Sequence, residues 1–287
     1  LYKVISYDSS SRSVDAVDVD IRYIVSVYSA EEQNTTSERN ELYRFVFSKD
    51  DISELNHSVE LMLKSGAYNF VVWSDYIQNS TNDLYYQTST FERIKLRGNE
   101  HEGSNDYRDA FTGTVTAEVS AKSREATVAM GRPMAKFNFI STDVDEFIEM
   151  MQTIREKKTG KSSDNSGRAS DISIQLSDFD VVFRYNGYMP NTFNAYTNKP
   201  SDSTTDVSFK SKLGLTEDGE AELGFDYIFV NGSESVINIS VEVYDYDGDL
   251  VSRFKPVDVP LIRSHLTTIK ANFLTSNDGG VDIDPGY

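Results

Sequence analysis

The sequence predicts an all-β protein made of two β-sandwich domains, residues 1–131 and 132–287, with one helix early in the second. Three observations predict it. About a dozen short runs alternate apolar with polar residues and are separated by turn signals, the spacing of sandwich folds. A single stretch, after Ile140, carries the 3.6-residue period of a helix, so the helix–strand alternation of a doubly wound parallel sheet is missing. The 287 residues include 17 Tyr and 16 Phe beside many Val, Ile and Thr, residue types that fit a pleated surface.

Val17–Tyr28 opens the strand series. Val19, Ile21, Tyr23, Val25 and Val27 alternate with more polar neighbours, so one face is buried. Glu41–Phe47 is a second short strand. Val59, Leu61 and Leu63 alternate up to Lys64-Ser65-Gly66, and Tyr68, Phe70 and Val72 alternate beyond it, which reads as a hairpin. Ser74–Glu92 is polar and Tyr-rich without a clear period, and Ile94–Ser104 reads as loop. Thr112–Val119 and Glu125–Met130 are a strand pair around Lys122-Ser123-Arg124.

Gly131-Arg132-Pro133 interrupts the pattern, because Pro133 lacks the amide that a central strand needs. The domain boundary is placed here. Ala135, Phe137 and Phe139 then alternate as a strand. The helix follows: Ser141-Thr142-Asp143 offers an N-cap, and Asp145 and Glu146 place negative charge in the first turn. Val144, Phe147, Ile148, Met151 and Ile154 form one apolar stripe. Lys157 and Lys158 suit the C-terminal end, and Gly160 is the stop. Past a polar loop, Ile172/Ile174/Leu176 and Phe179/Val181/Phe183 read as strands, and Asn186–Ser203 as a long polar loop. Further strands are expected at Tyr227–Phe229, Ile237–Val243, Leu250–Phe254, Val257–Leu261 and Thr267–Phe273, with Asp247-Gly248 as a hairpin turn.

The net charge is −18, from 46 acidic and 28 basic residues. Nucleic acid and anionic lipid need Lys and Arg to neutralise phosphates, so neither is expected as a partner. Without cysteine the chain has no disulfide framework, no thiol nucleophile and no Cys-ligated zinc. No run of 18 apolar residues is present to span a membrane. The chain opens at Leu1 rather than Met, which leads us to expect an upstream segment.

Catalytic motifs are missing: no GxSxG, GxGxxG or GxxxxGK(S/T) stretch occurs. His57, His101 and His265 lie far apart and read as unrelated surface or turn residues. No catalytic residue, cofactor or metal is therefore expected. Asp245-Tyr246-Asp247-Gly248-Asp249 has the spacing of the start of a calcium loop. Position six is Leu250 and position twelve is Pro256, where such a loop wants Gly and Glu, so a tight hairpin turn is the better reading. Trp73, Tyr85, Tyr86, Tyr188 and Tyr196 are candidates for an aromatic carbohydrate platform.

Three stretches take the reading further. Leu63–Tyr76 (LKSGAYNFVVWSDY), Gly131–Phe139 (GRPMAKFNF) and Val259–Asp284 (VPLIRSHLTTIKANFLTSNDGGVDID), the last through Arg263, His265, Thr267 and Thr268, resemble the fimbrillin-like surface proteins of Bacteroidales, the FimA and Mfa type of major and minor fimbrium subunit. The resemblance implies two transthyretin-like sandwiches and a non-enzymatic pilus subunit or adhesin at the cell surface. It also implies export to the outer membrane through a lipidated N-terminal Cys that this chain does not contain. Assembly would then proceed by strand donation to other pilus subunits or to itself, after a protease cuts behind an early Arg; Arg12 and Arg22 are the candidates. A host or bacterial glycan or protein is the implied ligand, and a carbohydrate-binding surface lipoprotein is the alternative.

Overall fold

The computed structural model describes residues 19–32, 39–49, 58–78, 82–98, 100–120, 125–159, 173–232, 234–275 and 282–284. The alternating runs become three large sheets, with two small ones formed from the intervening segments, and the one 3.6-period stretch becomes one helix.

The first sheet holds β1 (Asp20–Ser29), β2 (Glu41–Lys49), β3 (Gly66–Ile77) and β4 (Ala110–Val119) in the order β2-β1-β3-β4, antiparallel throughout. Alternation assigns the faces. Ile24 and Tyr28 of β1 and Val71 and Trp73 of β3 point towards the second half of the chain. Val25, Val27, Tyr68, Phe70 and Val72 point the other way. Central β3 is covered on both faces, which explains its near-continuous apolar run.

The second half is a sandwich. One sheet, β7-β6-β10-β11, comprises β6 (Asp180–Tyr185), β7 (Ser208–Lys212), β10 (Ser235–Tyr244) and β11 (Leu250–Leu261). The facing sheet, β8-β9-β5-β12-β13, comprises β5 (Met134–Ser141), β8 (Gly214–Leu215), β9 (Ala221–Phe229), β12 (Leu266–Ala271) and β13 (Asp282–Asp284). Among the named pairs only β5–β12 is parallel. Phe139 meets Phe183 edge to face at 5.5 Å between ring centres, and Phe183 stacks on Phe209 at 4.6 Å, closing the layer between the sheets.

The helix, α1 (Val144–Thr159), forms where the stripe predicts it. Val144, Phe147 and Met151 are buried, and Phe147 lies 4.9 Å from the Phe179 ring. Ile154, at the far end of the stripe, is 36% exposed. The Asp143 side chain does not cap the helix. Its carboxylate accepts from the Thr275 amide (2.7 Å) and hydroxyl (2.6 Å), tying the helix start to the segment after β12. Phe147→Ala should cost about 3–5 kcal/mol, because the cavity between α1 and Phe179 cannot close fully; a urea melt followed by circular dichroism measures it.

Several expectations are corrected. Val59–Leu63 is not the partner strand of a hairpin. Both edges of β3 are taken by the ten-residue strands β1 and β4, so this segment runs across the sheet face instead. Glu125–Met130 also takes no strand assignment; the next residue, Gly131, bridges Thr112. Leu176–Asp178 is a short 3-10 turn, and Ile172 lies outside the described residues. Leu250–Leu261 is one strand rather than two, its register against β10 shifting between Ile239 and Val241.

The largest correction concerns the expected loops. Tyr86–Gln87 and Ile94–Leu96 join Thr192–Asn194 and Lys199–Pro200 in a small sheet. Phe91, Ile94, Phe193 and Ala195 are fully buried there with Trp73, Met134 and Phe229. These stretches are polar on average, yet each carries one or two large apolar residues that fill the space between the first sheet and the second half.

Candidate functional site

The outer face of the first sheet is the most unusual surface of the molecule. Val25, Val27, Tyr68, Phe70 and Val72 form its centre, flanked by Tyr43, Phe45 and Phe47 from β2 and by Val115, Ala117 and Val119 from β4. A sandwich covers such a face with a second sheet. Here residues 58–65 and 125–130 cover it, laying Leu61, Leu63, Val128 and Met130 onto the apolar centre. Both pairs keep the period of two of a strand. Among the described residues, however, neither segment belongs to a ladder. Met62, between the two inserted leucines, is 88% exposed. The face thus combines half-covered aromatic side chains with strand-periodic segments outside any ladder, the features that invite pairing with another strand.

Of the two processing candidates, Arg12 lies outside the described residues. Arg22 is placed in β1, buried, with Ser48 opposite it on one side and Asp75 on the other. Its Nε donates to Asp75 Oδ1 (2.8 Å), Nη2 to Oδ2 (2.7 Å) and Nη1 to Asp83 (2.9 Å); Trp73 Nε1 also donates to Asp75 (3.1 Å). Burial opposes the Arg22 charge, but the hydrogen bonds and charge of Asp75 and Asp83 outweigh it and raise its pKa. In this fold the peptide bond after Arg22 is held between two hydrogen-bonded neighbours.

The histidines part company. His57 lies outside the described residues. His265 sits in a turn, its Nδ1 2.7 Å from the Arg263 carbonyl. His101 is a core residue, contrary to expectation. Its Nε2 is 2.5 Å from Asp226 Oδ2, and Arg108 Nη1 is 2.5 Å from Asp226 Oδ1. The Tyr185 hydroxyl also donates to Asp226. Burial pushes the Asp226 carboxyl up, but Arg108 and His101 reverse this and leave it below its ordinary value. Burial, with Asp226 beside it, drives the Tyr185 hydroxyl well above its ordinary value. All four side chains are nearly inaccessible, so the cluster reads as a charged structural centre joining residues 101–108 to the second half. Three distant segments supply it, and no local spacing announces it.

The Asp245–Asp249 stretch is a turn. Gly248 takes φ +81°, and Asp245 Oδ1 accepts from the amides of Asp247 (3.0 Å) and Asp249 (2.9 Å). Lys158, at the end of α1, lies within 2.7–3.7 Å of all three carboxylates. A cation from the chain itself thus fills the middle of the cluster. Two residues of the expected aromatic platform, Trp73 and Tyr86, belong to the core, since their rings fill the layer behind the first sheet. Tyr188 is 78% exposed, and Tyr85 and Tyr196 are half-buried.

Two of the stretches that carry the fimbrillin resemblance, Gly131–Phe139 and Val259–Asp284, meet in space. The Lys136 amide donates to the His265 carbonyl (3.0 Å), and the Ser264 amide to Met134 (2.9 Å), starting the parallel β5–β12 pair. Arg263 donates to the Arg132 carbonyl (2.8 Å) and to Asn198 Oδ1 (2.6 Å), and Thr267 to the Pro260 carbonyl (2.6 Å). These residues hold the fold together at the junction of its two halves.

Comparison with known proteins agrees at the level of fold. A family model described as a family of unknown function (DUF6562) matches residues 3–287. No curated protein matches the sequence. A candidate adhesin of Bacteroides thetaiotaomicron has a similar structure, with 12% identity, a TM-score of 0.51, and coverage of 94% of this chain and 89% of that one. A candidate polysaccharide-binding protein of the same organism follows at 11% identity, TM-score 0.51, and 92% and 88% coverage. The fimbrial anchor protein Mfa2 of Porphyromonas gingivalis is a weaker likeness at 9% identity, TM-score 0.42, and 94% and 92% coverage. The chain therefore shares the fold of the two Bacteroides thetaiotaomicron proteins, and it is an all-β protein with a single α-helix among the described residues.

Proposed function

The chain belongs to a family of unknown function (DUF6562), and from that premise we propose that it is a non-enzymatic, cell-surface structural subunit or adhesin of a fimbrium that assembles by β-strand donation. One observation carries the reading: the apolar outer face of the first sheet is covered by two strand-periodic segments that join no ladder among the described residues. An incoming strand gains main-chain hydrogen bonds along such a segment and apolar contact with Leu61, Leu63, Val128 and Met130. In this reading residues 1–131 are the strand-exchange domain and residues 132–287 a transthyretin-like sandwich. The partner is another pilus subunit or a second copy, and a lipid anchor upstream of Leu1 holds the protein at the outer membrane. Processing falls at Arg12, because a cut at Arg22 breaks the buried pair with Asp75.

Limited trypsin digestion of the full chain, with N-terminal sequencing and size-exclusion chromatography of the core, tests this. The expected product begins at Ser13 and runs as a ladder of oligomers. A trimmed core that stays monomeric at high concentration overturns the strand-donation mechanism.

A further inference from the structure

Where β3 and β4 emerge from beneath the second half, four side chains form a square on the inward face. Asn69 and Val71 of β3 lie opposite Thr116 and Thr114 of β4. With Arg39 and Tyr196 as walls, they line an open groove of about 310 Å³, at the small end of ligand sites. Its chemistry differs from that of its surroundings. The Arg39 guanidinium carbon lies 3.2 Å from the centre of the Tyr196 ring. Among the described residues this guanidinium is stacked rather than ion-paired, and the nearby Glu92 carboxylate accepts from the Arg39 amide (3.2 Å) instead. Tyr196 is itself fixed, by the Asn69 amide donating to its hydroxyl (2.9 Å) and by the edge of Tyr28 at 5.2 Å. The Thr116 hydroxyl donates to Asn69 Oδ1 (2.6 Å). The Thr114 hydroxyl is exposed and makes no hydrogen bond within the described residues.

We infer that this groove binds a saccharide bearing a single carboxylate. The guanidinium fork matches a carboxylate in two-point geometry, and stacking on Tyr196 holds it in place before the ligand arrives, which lowers the ordering cost. The Thr114 and Thr116 hydroxyls and the Asn69 amide suit neutral sugar hydroxyls. An acidic peptide is less well served. Only Val71 and Val115 of the lining are aliphatic, and the edge of β4 is bridged at Thr112, to Gly131. A ligand with many charges meets the field of the whole protein, whereas a single carboxylate answers one arginine.

Titration calorimetry of the full chain tests this with three probes: sialyllactose, lactose as its uncharged counterpart, and an acetylated Gly-Glu-Gly tripeptide. Sialyllactose is expected to bind about tenfold more tightly than lactose or the tripeptide. Arg39→Gln removes that preference. Arg39→Lys, which keeps the charge without the fork, retains only part of it, and Thr114→Val weakens both sugars. Arg39 and Thr114 both lie at the surface of the groove, so the variants fold, as an unchanged melting temperature verifies. Equal binding of sialyllactose to wild type and Arg39→Gln, no binding at millimolar concentration, or a tripeptide that binds as tightly as the sugar each overturns the inference.

Discussion

Asp226→Asn should lower the unfolding free energy by about 3–5 kcal/mol, the cost of stranding a buried charge. The stranded group is Arg108, whose Nη1 loses its carboxylate while Nη2 has no partner to compensate. The one oxygen that Asn keeps cannot serve both Arg108 on one side and Tyr185 with His101 on the other. Tyr185→Phe, which removes a single hydrogen bond to a charged group, should cost about 1.5–3 kcal/mol. The double replacement Arg108→Met with Asp226→Leu should recover much of the loss, since apolar packing substitutes for a buried pair far better than half of one does. Urea denaturation at neutral pH measures all three. The pH dependence carries a sign. The folded Asp226 lies below its ordinary value of 3.8, so its contribution is fully present above that value. It is lost as the pH falls through the lower folded value. The gap between wild type and Asp226→Asn should therefore narrow only in strong acid.

Arg22→Met should have an effect of the same size, about 3–5 kcal/mol, by leaving Asp75 buried without its cation. The Trp73 indole remains as one donor, which is too little to replace the two-point contact from Arg22. Burial already raises the Asp75 carboxyl against the pull of Arg22, and the substitution removes that pull. Asp75 then favours the protonated form when folded. The variant's stability is highest in acid and falls as the pH rises above the ordinary value of 3.8. The deficit against wild type should consequently grow from acid towards neutrality, above 3.8, whereas the gap at Asp226 changes below that value. A chain starting at Tyr23 loses the same guanidinium and should show the same deficit. If that truncated chain is as stable as the full one, the buried pair has no energetic role, and processing behind Arg22 becomes as plausible as processing behind Arg12.

Those parts of the protein whose information is local are legible in the amino-acid order. Period-two alternation marked β1, β5 and β10, and the Val144–Ile154 stripe marked the helix, because burial of one face repeats at the period of the backbone. The Asp247-Gly248 turn was legible for a similar reason: positive φ at one position selects the residue. Tertiary structure alone decided the rest. Val59–Leu63 has strand periodicity, but whether it joins a sheet depended on β1 and β4, which had already taken both edges of β3. Phe193 and Ile94 looked like isolated apolar residues in polar loops until the gap between the two halves gave them a place to be buried. The Asp226 centre draws on residues 101, 108, 185 and 226, and the Arg39 groove on 39, 69, 114, 116 and 196. A charge or a hydroxyl has meaning only beside its partner, and those partners are brought together by strand order rather than by spacing along the chain.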